Sequence, residues 1–459
     1  MYKRLYNIGI VAYVIMLILS ILFYKERTII LDSAYDLFHI LRGAVDFNAV
    51  RFAGVLPKLG AVFAVKMGLS LSDVLLSYSV VTAVYYFVLY IICGSLLKKY
   101  EFALAILLCN TIFVSECFYY VSSELPQGIA FLLFTIAFIS ANKDKGIFSW
   151  ILILVFVVAI AFFHPLMVFV LAYAVGFLLL RKEIDIDRRV LYSMAILFFV
   201  LVVFKTLVIR TQYEQHSMGG LKNFITQFPN YFTLYSDKQF LHNCVTRYYW
   251  IPLISAGVIW VNIVNRDWKK LLFFTGSLIG YLLLVNISYP TIVTPTFYIE
   301  NLYLPVGLFL ALPFVFDLLP VLISKQIAMP VVAIILFTGC VRMYMTHSLF
   351  TARLDFERTI IKEYGGKKVI LDANKVNAGI IQMLWGTPYE FLLLSICEGQ
   401  QPASIIIDDK PAHRPWVVAQ KKSLVVNYNI FPYDQLSPKY FHFIDTTSGY
   451  IIDPATPGR

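Results

Sequence analysis

The chain has 459 residues, 59% hydrophobic and 14% charged, against roughly 25% charged in an ordinary soluble domain. With a mean hydropathy of +0.74, it carries more apolar surface than a water-soluble globule can hide, since folding leaves a large exterior to be wetted. The formal net charge of +10 falls largely in short clusters between apolar runs, as in membrane topology signals, so nucleic acid is excluded as an expected partner.

The first apolar run, 6–24, follows Lys3 and Arg4 and is not followed by a small-residue cleavage site; it reads as an uncleaved first helix. Further runs at 72–96, 102–118, 126–141, 147–163, 165–180, 190–209, 249–264, 271–287, 303–323 and 327–345 have about the length needed to cross ~30 Å of hydrocarbon. The sequence therefore predicts an all-α polytopic membrane protein with about eleven spans. Lys3/Arg4, Lys98/Lys99, Lys143/Lys145, Arg181/Lys182/Arg188/Arg189, Arg266/Lys269/Lys270 and Lys325 occupy every second short loop, while 119–125, 164 and 288–301 carry no Lys or Arg. Basic loops stay in the cytoplasm, which predicts an N-terminus inside and a C-terminus outside, in a bacterial inner membrane. The six cysteines (Cys93, Cys109, Cys117, Cys244, Cys340 and Cys397) show no metal-ligand or redox spacing.

Three outer segments are too long to be turns. The first loop, 25–71, holds two expected helices near 33–44 and 53–68; the second, 210–248, is polar and aromatic. The tail, 346–459, follows the membrane domain of 1–345. It opens on an amphipathic helix (Leu349 to Tyr364), then alternates strand and helix: KKVILD, QMLWGTPYEFLLLSI, ASIIID, SLVVNYNI and a hairpin ending FHFIDTTSGYIID. That alternation predicts a small extracytoplasmic α/β domain. It has neither a glycine-rich phosphate loop nor a nucleophile elbow, so it is expected to assist recognition or support the fold.

Ionisable groups at membrane depth or at its edge are costly and mark function by default. Asp32 sits at the water interface just ahead of a helix, with Asp36 and His39 one and about two turns on and roughly on its face. The plain alternative for Asp32 is an N-cap; a cluster of two acids and an imidazole facing a cleft suits proton abstraction. Glu116 ends the third run, and Glu124 opens the fourth within Ser123-Glu124-Leu125-Pro126-Gln127, where dipole complementarity is the plain alternative. His164-Pro165 forms the turn between the fifth and sixth runs, and Glu300-Asn301 open the tenth. Four loops thus bring an acid or an imidazole to one depth. Arg51, Lys58 and Lys66 in the first loop, with Arg210, Lys222, Lys238 and Arg247 in the second, supply cations that would suit an anionic lipid headgroup; solvated loop charge is the alternative.

Taken together, these features resemble the GT-C superfamily of integral membrane glycosyltransferases, which includes protein O-mannosyltransferases and the aminoarabinose transferases acting on lipid A. Those families carry an Asp, or an Asp-Glu pair, just after the first span and followed closely by a Tyr; here it reads Asp32-Ser33-Ala34-Tyr35. Their first outer loop, with a short amphipathic helix, is matched by Arg51-Phe52 through Lys58-Leu59-Gly60 to Gly68-Leu69-Ser70. Their later Arg-Tyr pair opening a proline-containing span is similar to Glu300-Asn301-Leu302-Tyr303-Leu304-Pro305. Ser33 stands where the second acid would be and Leu302 where the Arg would be. A divalent metal is therefore left open, and a phosphate would fall to Arg51, Arg210 or His164. The tail, with Trp385-Gly386-Thr387-Pro388-Tyr389, looks like the outer domain of bacterial membrane proteins of similar layout.

The resemblance implies a polyprenyl-phosphate-linked sugar as donor, a lipid, glycan or protein acceptor from outside, and an inverting transfer with a carboxylate base. Asp32 is the expected base, with Asp36, Glu124 and His164 assisting. Tyr35, His39, Arg51, Lys58, Gln127, Arg210, Glu300, Asn301 and Tyr303 are the expected substrate-binding residues. A transporter or flippase stays open as an alternative, although no internal repeat of the kind transporters show is evident. A polysaccharide polymerase or ligase and a non-catalytic envelope scaffold also stay open.

Overall fold

The computed structural model describes the chain apart from residues 48–49, 143–145, 182–183, 185, 210–217, 292–295, 412–414, 427–428 and 454–459. It is mostly helical, with helices α1 (Tyr2–Leu22), α2 (Tyr24–Thr28), α3 (Leu31–Leu41), α4 (Val55–Lys66), α5 (Leu71–Ile91), α6 (Tyr100–Cys109), α7 (Glu124–Ala141), α8 (Ile147–Ala161), α9 (Met167–Leu179), α10 (Arg188–Phe204), α11 (Tyr235–Thr246), α12 (Trp250–Val264), α13 (Trp268–Ser288), α14 (Thr296–Pro313), α15 (Ala328–Tyr364) and α16 (Thr387–Cys397). Among the described residues, seven helices are long and apolar enough to cross a membrane, or eight if the bent pair α11–α12 counts as one span. The sequence reading counts eleven.

The difference lies mainly in three short helices. α6 ends at Cys109, so the apolar run 102–118 is helical over only its first half. The segment beyond it is held by side chains: Arg342 of α15 donates to the carbonyls of Thr111 (2.5 Å), Ile112 (3.0 Å) and Val114 (3.1 Å). α8 and α9, of 15 and 13 residues, flank the expected turn at His164-Pro165 and fall below the span length.

α1 packs on α5, α6 and α15. α2 turns the chain at the end of α1, and its buried Arg27 donates to Phe118 O (2.9 Å) and to both the carbonyl and hydroxyl of Ser79 (2.8 Å each). The two helices expected in the first loop are α3 and α4. α5 begins where Ser70 Oγ accepts the Asp73 N–H, a side-chain N-cap.

The amphipathic helix expected to open the tail is not a separate element. It is the second half of α15, which runs unbroken for 37 residues, about 55 Å at 1.5 Å per residue. Beyond it, strands β1 (Lys368–Asp372), β2 (Ser404–Asp408) and β5 (Ile451–Asp453) form a parallel sheet in the order β2-β1-β5. Lys368 pairs with Ser404 and Val369 with Ile451. α16 connects β1 to β2. The hairpin is made by β3 (Ser423–Val426) and β4 (Asn429–Pro432), not by the final segment: the apolar run that begins at Ser423 is long enough to fold back on itself, which leaves Ile451–Asp453 to extend the parallel sheet.

α16 packs against α3 as well as β2. Its Glu390, fully buried, accepts the Leu31 N–H through Oε1 (2.7 Å) and pairs through Oε2 with Arg353 Nε of α15 (2.7 Å). A side chain at Gly386 would bring its Cβ to 2.8 Å from Leu31 Cα, so only glycine lets the two backbones approach this closely. Replacing Glu390 with Ala would leave the first N–H of α3 without its acceptor and the buried Arg353 with only Glu357, 3.3 Å away, as its partner. We expect a loss of about 3–5 kcal/mol, read as a lower Tm in detergent micelles. Gly386→Ala should cost about 1–3 kcal/mol. Glu398→Ala, which removes a partly exposed pair with Lys25 and Arg358, should stay within about 1 kcal/mol of the parent.

Candidate functional site

α3 starts abruptly. Ile30 is extended, and Leu31 takes a φ of +37°, a left-handed conformation that an L side chain adopts only under constraint. The constraint is Glu390, which supplies the acceptor that the first N–H of α3 needs. Asp32 therefore makes no capping bond of its own. Its Oδ2 accepts the hydroxyl of Tyr120 (2.7 Å) and that of Tyr298. Among the described residues no hydrogen bond reaches Oδ1. Burial pushes the Asp32 carboxyl above its usual range, and the two tyrosine hydroxyls together with the Lys58 and Arg51 charges pull it back.

Asp32 opens onto a cavity of about 830 Å³ bordered by α3, the segment ahead of α7, the α8–α9 turn, α13, α14 and the tail. Its wall divides by chemistry. Val168 and Phe169 of α9, Leu284 and Val285 of α13, and Ile299 and Leu302 of α14 are apolar; Asp32, Tyr35, Arg51, Ser123, Glu124, His164 and Asn301 are polar.

Arg51 Nη1 lies 3.4 Å from Glu124 Oε2. The tight turn after Arg51 passes directly under Glu124: a Cβ on Gly54 would meet Glu124 Cγ at 2.5 Å. His164 Nδ1 accepts the Leu166 N–H (3.2 Å), which assigns the ring proton to Nε2 in the neutral tautomer. Burial, with the Arg51 and Lys205 charges, holds that imidazole well below its usual pKa. It is thus a neutral donor. Asn301 Oδ1 accepts the Ser123 hydroxyl (2.6 Å). Tyr35 turns its hydroxyl to Asp46 and its ring edge toward Trp385, 6.3 Å between centroids.

Six expected site residues do not line the cavity. Asp36 lies one turn down α3, buried, with Oδ1 2.7 Å from Lys58 Nζ and Oδ2 3.2 Å from the Tyr78 hydroxyl. Burial raises its carboxyl to about 6 against the pull of Lys58. His39, a further turn on, lies tilted against Tyr35 and edge-to-face with Phe431, 4.4 Å and 6.2 Å between centroids. Both residues share the face of Asp32, but the cavity reaches only the first turn, and each turn carries the chain about 5.4 Å away. Gln127 lies one turn into α7, its Nε2 bonded to Ser123 O (2.9 Å). Glu300 is a backbone acceptor: Oε1 takes the N–H groups of Ser115 (2.6 Å) and Cys117 (2.8 Å), and Oε2 takes Glu116 N–H (3.1 Å) and the Tyr248 hydroxyl (2.5 Å). Tyr303 points to Asn286. Arg210 falls outside the described residues.

Sequence reasoning missed Tyr120, Tyr298, Tyr289 and Ser123, and the tail residues Met383, Trp385 and Asn429, all of which line the cavity. The tyrosines carried a weak signal, since Tyr120 lies four residues before Glu124 and Tyr298 two before Glu300. Among the described residues, no group of three or more His, Cys, Asp or Glu side chains is placed to hold a metal ion. Ser33, where a second acid would stand, is buried. Searches against protein-family models and curated proteins find no match to this chain.

The Lys58–Asp36 pair reads as support for α3 and α4. Lys58→Met should lower the Tm by leaving Asp36 buried without its cation, at about 3–5 kcal/mol, whereas the double replacement with Asp36→Leu should recover most of that loss. Thermal unfolding of the two variants checks it; a double variant no more stable than the single one would refute the pair's purely supporting role.

Proposed function

We propose that this chain is a membrane glycosyltransferase that moves a sugar from a polyprenyl-phosphate donor to an acceptor on the extracytoplasmic side, with inversion. In this reading the N-terminus is cytoplasmic, and the cavity and tail face the outside of a bacterial inner membrane. The observation that carries it is one partly exposed carboxylate, Asp32, with an uncommitted Oδ1, in a cavity whose other walls offer an apolar surface, the Arg51 cation and a neutral imidazole. Such a division suits a ligand with a hydrocarbon chain and an anionic head.

The acceptor hydroxyl or amine would give its proton to Asp32 Oδ1 as its heteroatom attacks the anomeric carbon. The bond from that carbon to the phosphate oxygen breaks, and the lipid phosphate leaves with the electron pair. Arg51 and the Nε2–H of His164 would stabilise the charge that develops there. Tyr120 and Tyr298 hold Oδ2 and so fix which lone pair takes the proton. Trp385 and Met383 line the same cavity, so the acceptor would pass the tail on its way in.

Asp32→Asn should lower transfer by about 10²–10⁴-fold while leaving the Tm near that of the parent. Purified protein in proteoliposomes, supplied with radiolabelled polyprenyl-phosphate sugars and envelope acceptors, measures it; unchanged transfer would remove Asp32 as base. The pH profile is a separate check. A base works when ionised, so kcat should rise with pH through the Asp32 pKa, with a midpoint above the usual carboxylate value of about 3.9. Tyr298→Phe removes a donor that favours the carboxylate, so this limb should move to higher pH. A limb that stays put or moves down would contradict the geometry at Oδ2.

A further inference from the structure

A surface with no role in that chemistry lies in the second loop. After residue 217 the chain forms a short helix (Asn223–Thr226), an irregular stretch and α11, and it exposes an unusual series of large apolar side chains. Ile225 is 84% exposed, Phe228 71%, Phe232 75%, Leu241 64% and Val245 79%. The opposite side is well seated: Ser236, Phe240 and Cys244 are buried at the i, i+4 spacing of one helix face, with Leu234 buried just ahead of the helix. The segment is therefore docked on the protein by one side and bare on the other.

Three geometric facts fix its level and its angle. α11 meets α12 at 87°, so where α12 runs across a bilayer, α11 runs in its plane. Ser236 Oγ donates to Asn286 O (2.9 Å), and Asn223 Nδ2 to Ser288 O (2.9 Å), which pins the segment to the last turn of the membrane-length helix α13. Leu241 and Val245, one turn apart on α11, form an apolar strip, and Lys238 and His242 lie beside it on the exposed surface. A helix of this kind lies in the headgroup layer, with its apolar strip among the upper acyl chains and its cations toward lipid phosphates. A protein partner would need a complementary surface; the lipid leaflet is already there, continuous with the exposed apolar side chains of the neighbouring spans.

We propose that residues 218–246 form a membrane-surface element that inserts Ile225, Phe228, Phe232, Leu241 and Val245 into one leaflet. Because Ser288 and Tyr289 also line the cavity, this element sets the cavity rim at headgroup depth, so that an amphiphile reaches the cavity sideways from the leaflet. The placement stands whether or not the cavity transfers sugar.

The test uses the full chain carrying Cys397→Ser, because the other five cysteines are buried. A nitroxide is placed in turn at Phe232→Cys, Val245→Cys and Ile225→Cys in vesicles of phosphatidylethanolamine and phosphatidylglycerol. Phe199→Cys on α10 serves as the lipid reference and Asp409→Cys in the tail as the water reference. Collision with oxygen should exceed collision with a water-soluble nickel chelate at the three loop sites, as at Phe199, with the ratio reversed at Asp409. Nickel collision that dominates at Phe232 and Val245 as it does at Asp409 would overturn the proposal. Ile225 touches little of the protein, so it reports even if labelling at the other two disturbs folding.

Discussion

Glu390 is the contact on which the arrangement of the site depends. It is a fully buried carboxylate on α16, and its two oxygens do different things: one receives the first backbone N–H of α3, the other receives Arg353 from the long helix α15. A carboxylate taken out of water is tolerated only where charge-assisted donors replace its hydration. Both donors belong to other elements, so this one side chain ties the tail at once to the start of α3 and to α15.

This division of labour is what frees Asp32. Near a helix start an aspartate ordinarily spends its side chain on the unsatisfied N–H groups of the first turn. Here a carboxylate from another element meets that need, at the cost of a left-handed Leu31 and of a glycine at the crossing. Asp32 is left to turn outward, where Tyr120 and Tyr298, brought by the segment before α7 and by α14, take one oxygen and leave the other. The tail contributes to this arrangement directly: Glu390 bonds the backbone behind Asp32, and Met383 and Trp385 line the cavity.

What the sequence makes legible follows from which forces are local. Membrane embedding, the pair of helices in the first loop, the His164 turn and the α/β character of the tail depend on runs and periodicities within a few dozen residues, and they are readable. The choice of Asp32, Glu124, His164 and Asn301 rests on depth, because polar residues ending neighbouring spans on the same side meet at one level; Tyr35 comes from the resemblance and Arg51 from the loop cations. Depth does not give lateral position, and there the reading fails. Asp36, His39 and Gln127 stand one or two turns too far along their helices. The tyrosines that hold Asp32 carry no charge to mark them, and Glu390 reads in sequence as a lone acid in an apolar helical stretch of the tail.

Asp32 and Glu300 show why the partners of a carboxylate, more than its place in the sequence, decide its role. Each lies near the start of a helix, Asp32 in α3 and Glu300 in α14. Glu300 receives four donors, three of them backbone N–H groups of the irregular segment after α6. Both of its oxygens are committed, and taking up a proton would break the turn they organise. Asp32 receives two hydroxyls on one oxygen. Its second oxygen faces a cavity, so a proton can arrive there without disturbing any backbone contact. The proposed base must gain and lose a proton in each cycle, and of the two carboxylates only Asp32 keeps a spare lone pair for it.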